Sequence, residues 1–238
     1  MMWLEQVWAS IAAWWGGIET QFYDNLIAGD RYQMIFRGLG VTLEVALCSA
    51  VIGTVLGCAI ALMRLSKSKI LRGISGVYVD IIRGTPLLVQ LLIIYHLILV
   101  NVDSQVLIAI IAFSVNSAAY VSEIVRSGIL AIDKGQTEAG RSLGLSSAST
   151  MLLIVMPQAI KIIIPSLFNE FIALLKETSI VGYIGLMDVT KAGDFIRSRT
   201  FSAFFPYITV AAIYLIIVTV LSRVFAAVER RMRQGDNR

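Results

Sequence analysis

Charge is scarce in this chain. Lys, Arg, Asp and Glu together make up 15% of its 238 residues, where soluble domains carry about 25%. Hydrophobic residues reach 57%, and mean hydropathy is +0.79. A water-soluble globule of this size leaves roughly a third of its surface exposed, too much to hide so apolar a composition, so the chain reads as a membrane protein. Disorder, a coiled coil and a secreted disulfide scaffold are disfavoured on the same ground. Cysteine is nearly absent: Cys48 and Cys58 lie in one apolar run, ten helical residues apart and on different faces, which argues against a bridge between them. There is one histidine, His96, and no Cys/His cluster, so no metal site is expected. HExxH, GxSxG and GxxxxGK[ST] are all missing, which disfavours a membrane enzyme and excludes Walker-type ATP binding by this chain. The net charge of +4 shows no basic stripe with interleaved aromatics. Nucleic acid is therefore not expected as a partner, and the surplus reads as loop Lys/Arg.

What is present are long apolar runs. A span needs about 20 mostly apolar residues, and five segments qualify: 41–63, 84–102, 105–122, 151–175 and 206–222. The fourth is irregular, interrupted by Pro157, Lys161, Pro165 and Glu170. The two prolines break the helical ladder and allow a bend. Lys161 falls nearer the cytoplasmic end, where its stem can snorkel. The expected fold is all-α: a polytopic membrane protein with five transmembrane helices and a cytoplasmic coupling helix.

Orientation follows from Lys/Arg in short loops. Arg64, Lys67, Lys69 and Arg72 follow the first span, Arg126, Lys134 and Arg141 follow the third, and Arg230, Arg231, Arg233 and Arg238 follow the fifth. This places the N-terminus outside and the C-terminus in the cytoplasm, with Lys191, Arg197 and Arg199 running against the trend. Residues 1–30 hold all four tryptophans (Trp3, Trp8, Trp14, Trp15) and no Lys or Arg before Arg31. That is not a signal-peptide pattern; apolar residues at helical spacing suggest a helix in the outer interface. The expected organisation is this interfacial segment, a permease domain over 31–229 and a basic cytoplasmic tail over 230–238.

The loop over about 129–150 carries the sharpest signal. A short helix fits from Lys134 or Gln136 to Leu143, with Gly144 as its stop. Ala139 and Gly140 are small enough for another surface to approach closely. Glu138 and Arg141 share a face and offer both signs of charge, the form of a docking element for a soluble partner. Glu138-Ala139-Gly140, three residues, Gly144, nine residues, Ile154, one residue and Met156-Pro157 resembles the EAA-x3-G-x9-I-x-L-P signature of ABC-importer permeases. Gly140 stands where Ala is usual, and Met156 where Leu is usual. Residues 82–90 (IRGTPLLVQ), 116–120 (NSAAY) with Glu123, Arg126, Gly128 and Ile129, and 169–179 (NEFIALLKETS) resemble the polar amino-acid subfamily, the permeases of histidine/glutamine/arginine-type uptake. The resemblance covers the chain from about Arg37 onward.

The resemblance implies a multi-pass permease subunit in the bacterial inner (plasma) membrane that conducts a polar or charged amino acid. Implied partners are a second permease subunit (the same chain or a paralogue), an ATPase subunit dimer and an extracytoplasmic solute-binding protein. The chain itself needs no cofactor, because ATP and magnesium are held by the ATPase. Glu138, Ala139, Gly140, Arg141 and Gly144 are the expected ATPase-coupling residues. Ionisable residues within a span are functional candidates by default. On a helix, Glu170 and Glu177 share a face, and Asn169 and Lys176 share the neighbouring one. That pairing suits a zwitterion, with Phe171 to stack on a cationic group and Thr178 as a hydroxyl partner. Gln90 and Asn116 are further pore-facing candidates. For Lys176 and Glu177 two alternatives stay open, the end of the span or a salt bridge between subunits. The rival function is an ion-coupled secondary carrier or channel, although no internal inverted repeat is apparent.

Overall fold

The computed structural model describes residues 17–234, so the four tryptophans and the last four residues of the tail lie outside the described residues. No strand occurs among the described residues; the chain is a succession of helices. A helical run from Gly17 ends where Gly29 and Asp30 take left-handed backbone angles, and α1 (Arg31–Leu65) begins. The other α-helices longer than one turn are α2 (Lys69–Arg83), α3 (Leu87–Ile93), α4 (Gln105–Leu130), α5 (Lys134–Ser142), α6 (Met156–Glu177), α7 (Val189–Thr200) and α8 (Phe204–Gln234). Four helical stretches are long and apolar enough to cross a membrane: Gly17–Leu65 (kinked at Gly29 and Asp30), Gln105–Leu130, Ser147–Ile184 and Phe204–Met232. The fifth crossing is a broken pair, Lys69–Arg83 and Leu87–Ile98, bent by 105°.

α1 is apolar around its whole circumference, so side-chain size rather than polarity selects its packed face. Gly38, Thr42, Ala46, Ser49, Gly53, Gly57 and Ala61 are buried at near four-residue spacing, a small-residue seam of the kind that lets helices approach closely in lipid. A Cβ added at Gly53 would sit 2.8 Å from the Ser117 Cβ, and one at Gly57 would sit 2.6 Å from Val121. The opposite face exposes Leu47, Val51 and Val55, which form the α1 wall of an open apolar cavity against α6 and α8.

The second span departs from expectation. Residues 69–83, expected in a basic loop, form α2, with Ser68 capping Leu71 N. Gly84, Thr85 and Pro86 then turn the chain. Pro86 has no N–H to donate and restricts the residue before it, so the helix must end. Backbone groups freed at such a break need partners when lipid surrounds it. Gln90 supplies them: its Nε2 donates to Ile82 O (2.7 Å), Thr85 O (3.1 Å) and Thr85 Oγ1 (2.8 Å). Asn116 Nδ2 on α4 donates in turn to Gln90 Oε1 at 2.9 Å. The bend is thus locked to the helix behind it.

The fourth crossing is one helical run, with a π-turn at Met151–Val155. Pro157 follows directly on the π-turn and Pro165 lies inside α6; neither has an N–H to donate, so the run continues past two missing backbone bonds. The loop between the fourth and fifth crossings holds α7, whose N-cap Asp188 is fully buried and accepts from Thr190 N (3.0 Å) and Lys191 N (2.8 Å). Lys191 and Arg197, two of the three cations that run against the loop-charge rule, both pair with Asp194.

Candidate functional site

The segment 133–158 folds as a helical hairpin. Asp133 caps α5 by accepting from Gly135 N. At the other end Gly144 takes φ +85°, Leu145 N donates to Gly140 O (3.2 Å) and Gly144 N to Arg141 O (3.1 Å). This pair of bonds is a Schellman stop, which requires the left-handed conformation that glycine adopts without strain. Arg141 Nη1 also donates to Leu145 O at 2.8 Å.

Gly140 is the one buried residue of α5. A Cβ there would meet Ile154 Cδ1 and Thr150 Cγ2, each at 2.8 Å. The unusual Gly at this position of the signature therefore matches a close approach of the returning chain, and two positions of the signature, Gly140 and Ile154, face each other across the hairpin. Gln136 and Gln158 face each other further along (3.4 Å). Met156 packs against the cluster of Val121, Val125 and Ile129, which ties the hairpin to α4. Glu138, Ala139, Arg141 and Gly144 are exposed, as is Leu143 at 82%. Of the five residues assigned to partner docking, four lie on the open surface and Gly140 holds the hairpin together.

The residues assigned to substrate do not form a single cluster. Glu170 and Phe171 line a cavity of about 430 Å³ between α1, α4, α6 and α8. Its walls are apolar, and Glu170 is its one charged group. Ser117 Oγ donates to Glu170 Oε1 at 3.3 Å. Phe225 of α8 stacks on Phe168 (centroids 4.1 Å, planes 3° apart) and meets Phe171 edge-on at 6.1 Å. Phe168 and Phe225 escaped the sequence reading because nothing in one helix reveals its ring partner on another. Ser117 was quoted in the 116–120 segment but not singled out.

Gln90 and Asn116 are buried and bonded to each other at the bend. Thr178 is buried and donates to Leu175 O at 2.7 Å. Lys176 and Glu177 are exposed at the end of α6. None of these five lines the cavity that holds Glu170.

Four further charges lie along the same stretch of α4. Glu123 bonds to Arg64 of α1 and to Arg126 one turn along α4, so its carboxylate is shared by two guanidinium groups. Arg83, the last residue of α2, seats its guanidinium over the Tyr120 ring at 5.3 Å. Among the described residues no group of three His, Cys, Asp or Glu side chains is arranged to hold a metal ion.

Residues 53–234 match the family described as the inner membrane component of binding-protein-dependent transport systems. The chain is 41% identical over 201 residues to a putative glutamine transport system permease protein of Rickettsia bellii, covering 83% of this chain and 92% of that one. It is 41% identical over 206 residues to an arginine transport system permease protein of Bacillus subtilis, covering 85% and 94%. Among solved structures, an amino acid ABC transporter crystallised with histidines superposes with a TM-score of 0.80 at 44% identity, covering 84% of this chain and 94% of that one.

Proposed function

Because the chain belongs to the family of inner membrane components of binding-protein-dependent transport systems, we propose that it is the permease subunit of an ATP-driven importer for a polar or charged amino acid. The substrate is delivered by an external binding protein, and a separate ATPase seats on the α5 hairpin. The pore is completed by a second permease subunit, either a copy of this chain or a paralogue. The N-terminus faces outward and the C-terminus the cytoplasm.

One observation carries the docking reading: α5 is a capped helix with an open polar face and a packed back. A lever must be stiff to transmit motion. Gly140 against Thr150 and Ile154, with the Schellman stop at Gly144, joins α5 to α6 without slack, and Met156 continues the contact to α4. Movement of a partner bound at Glu138 and Arg141 then reaches two membrane-crossing helices at once, which suits a two-state switch biased by nucleotide on that partner. Glu170 and Phe171 are the proposed substrate contacts, a carboxylate for a cationic group and a ring to stack on it. The glutamine and arginine systems named among the relatives support an amino acid as cargo. Lys176 and Glu177, exposed at the end of α6, are placed to meet the second permease subunit.

The test is transport by the complex reconstituted in liposomes. Glu138→Lys or Gly144→Leu should cut ATP-dependent uptake by about tenfold or more, with ATP hydrolysis either lost or no longer tied to uptake. Wild-type uptake by Glu138→Lys with normal ATPase retention would refute the docking role. Sustained accumulation without nucleotide, driven by an ion gradient, would refute the importer reading.

A further inference from the structure

The α5 hairpin continues directly into α4 on one side and α6 on the other, but α1 has no such connection to it. Between α1 and the hairpin the chain runs through the whole bent second crossing and α4. Motion of the hairpin therefore reaches α1 through side chains. Most of the contact between α1 and α4 is the small-residue seam. Gly53 lies against Ser117 and Gly57 against Val121, and Ala61 shares a cluster with Val121 and Val125. The seam brings the two backbones close. Its contacts are dispersion contacts, individually small and without direction, so directional bonds decide how firmly one helix is held in register on the other.

Among the described residues two such bonds cross the seam. At the end far from the hairpin, Ser49 Oγ donates to Ile110 O at 3.2 Å. At the hairpin end, Arg64 in the last turn of α1 pairs with Glu123 of α4. Glu123 lies about two turns from the Leu130 end of α4, where the chain leaves for the hairpin. Its carboxylate also accepts from Arg126 Nε at 3.1 and 3.3 Å. That second pair lies within α4, three residues apart on one face, and it fixes the direction in which the carboxylate points. Arg126 thus aims Glu123, and Glu123 holds α1 through Arg64. The three side chains are only 20–29% exposed, so solvent and salt screen the pairs less than they would on an open surface.

We propose that Glu123 is a positioning residue for coupling: its bond to Arg64 makes α1 move with α4, so that displacement of the α5 hairpin reaches a third membrane-crossing helix. This deepens the importer reading given above and rests on it. The tie stays closed through the transport cycle, and α1, α4 and the hairpin turn as one body. Glu123 touches neither cargo nor nucleotide in this role and acts through the helix it holds.

The test replaces the ionic tie by a covalent one that can be undone. In a parent with Cys48→Ala and Cys58→Ala, Arg64→Cys and Glu123→Cys are introduced together. The permease is reconstituted in liposomes with its ATPase and binding protein. The two thiols are bridged by a short bifunctional methanethiosulfonate, whose links dithiothreitol removes. Uptake of L-arginine, L-histidine and L-glutamine is measured beside ATP hydrolysis. Unbridged, the double variant should take up cargo about fivefold or more below the parent while hydrolysis stays within about twofold, the scale of a lost coupling contact. Bridging should restore uptake to within about twofold of the parent, and dithiothreitol should remove the gain. Glu123→Gln should raise the ratio of hydrolysis to uptake in the same way, with thermal midpoints to report that it is folded. Bridging that blocks uptake overturns the proposal, because α1 and α4 would then have to part. So does parental uptake by the unbridged variant. Uptake and hydrolysis that fall together and ignore the bridge also overturn it, since they mark a pair that only stabilises the fold. A wild-type complex without ATP-dependent uptake of any of the three amino acids overturns the importer reading itself, and the proposal with it.

Discussion

Replacing Gln90 by leucine tests whether the buried amide pair at the bend is architecture or binding site. The side chains are similar in volume, so packing changes little. The hydrogen bonding changes a great deal. Leucine removes the donor that serves Ile82 O, Thr85 O and Thr85 Oγ1, and it strips Asn116 Nδ2 of its acceptor. Four groups lose a partner: two backbone carbonyls, the Thr85 hydroxyl oxygen and one amide donor. Measured hydrogen bonds within membrane proteins average about 0.6 kcal/mol each, and an orphaned buried polar group costs about 1–3 kcal/mol. The sum is about 2–5 kcal/mol, enough to lower the unfolding midpoint by about 5 °C or more. Asn116→Leu alone orphans only Gln90 Oε1 and should cost about 1 kcal/mol. The double variant should then be less destabilised than the two singles added together, by about 1 kcal/mol, because removing both members leaves neither amide unpaired. Thermal unfolding of the purified complex gives the stabilities, and uptake kinetics give KM. A Gln90→Leu protein with the wild-type midpoint and a raised KM would refute this reasoning and return Gln90 and Asn116 to the substrate pathway.

Two other positions give clear expectations. Gly57→Ala should destabilise by about 1–3 kcal/mol in thermal unfolding, because its Cβ meets Val121 at 2.6 Å and the Ala118 carbonyl oxygen at 2.9 Å; Gly73→Ala, where nothing lies within 4 Å, should be neutral or slightly stabilising, and equal behaviour of the two would refute the seam. Burial holds the Asp188 carboxyl above the ordinary aspartate value of 3.8, against the smaller opposing effect of its backbone hydrogen bonds. A raised folded pKa contributes stability below 3.8 and loses it as pH climbs through the folded value. Wild type should therefore lose stability relative to Asp188→Asn, which keeps one of the two cap bonds at every pH, as pH rises through that window; a pH-independent difference between the two would show that burial of the charge is not what sets it.

Much of the bundle was readable in the primary structure. Runs of about 20 apolar residues marked four crossings, and the Gly144 stop marked the end of α5, expected from Lys134 or Gln136 to Leu143 and found at Lys134–Ser142. The second crossing was misjudged at its start, because Lys69 and Arg72 look like loop charge when only their number is counted. Their spacing on α2 leaves an apolar stripe between them, Ile70, Ile74, Val77 and Ile81, all exposed, and that stripe was the available signal. α7 was read as loop for a related reason: its cations are balanced by Asp194, a pairing visible only in three dimensions. The candidate substrate residues were chosen by polarity within apolar runs, which finds groups that need a partner but not which partner satisfies them. Gln90, Asn116 and Thr178 found theirs inside the fold; Glu170 found only a hydroxyl.

By itself the amino-acid sequence determined that this chain lives in a bilayer as helices and that it presents a capped polar helix between the third and fourth crossings. Both follow from local rules, since a helix satisfies its own backbone and lipid rewards any apolar face. Tertiary structure alone decided which polar side chains remain available for a ligand. Hydrogen-bond satisfaction is a property of pairs from different helices, and the small-residue seam of α1, the bend at Gly84-Thr85-Pro86 and the position of α6 set those pairs. Out of that packing came, among the described residues, an apolar cavity between α1, α4, α6 and α8 whose one charged group, Glu170, is held by a single hydroxyl.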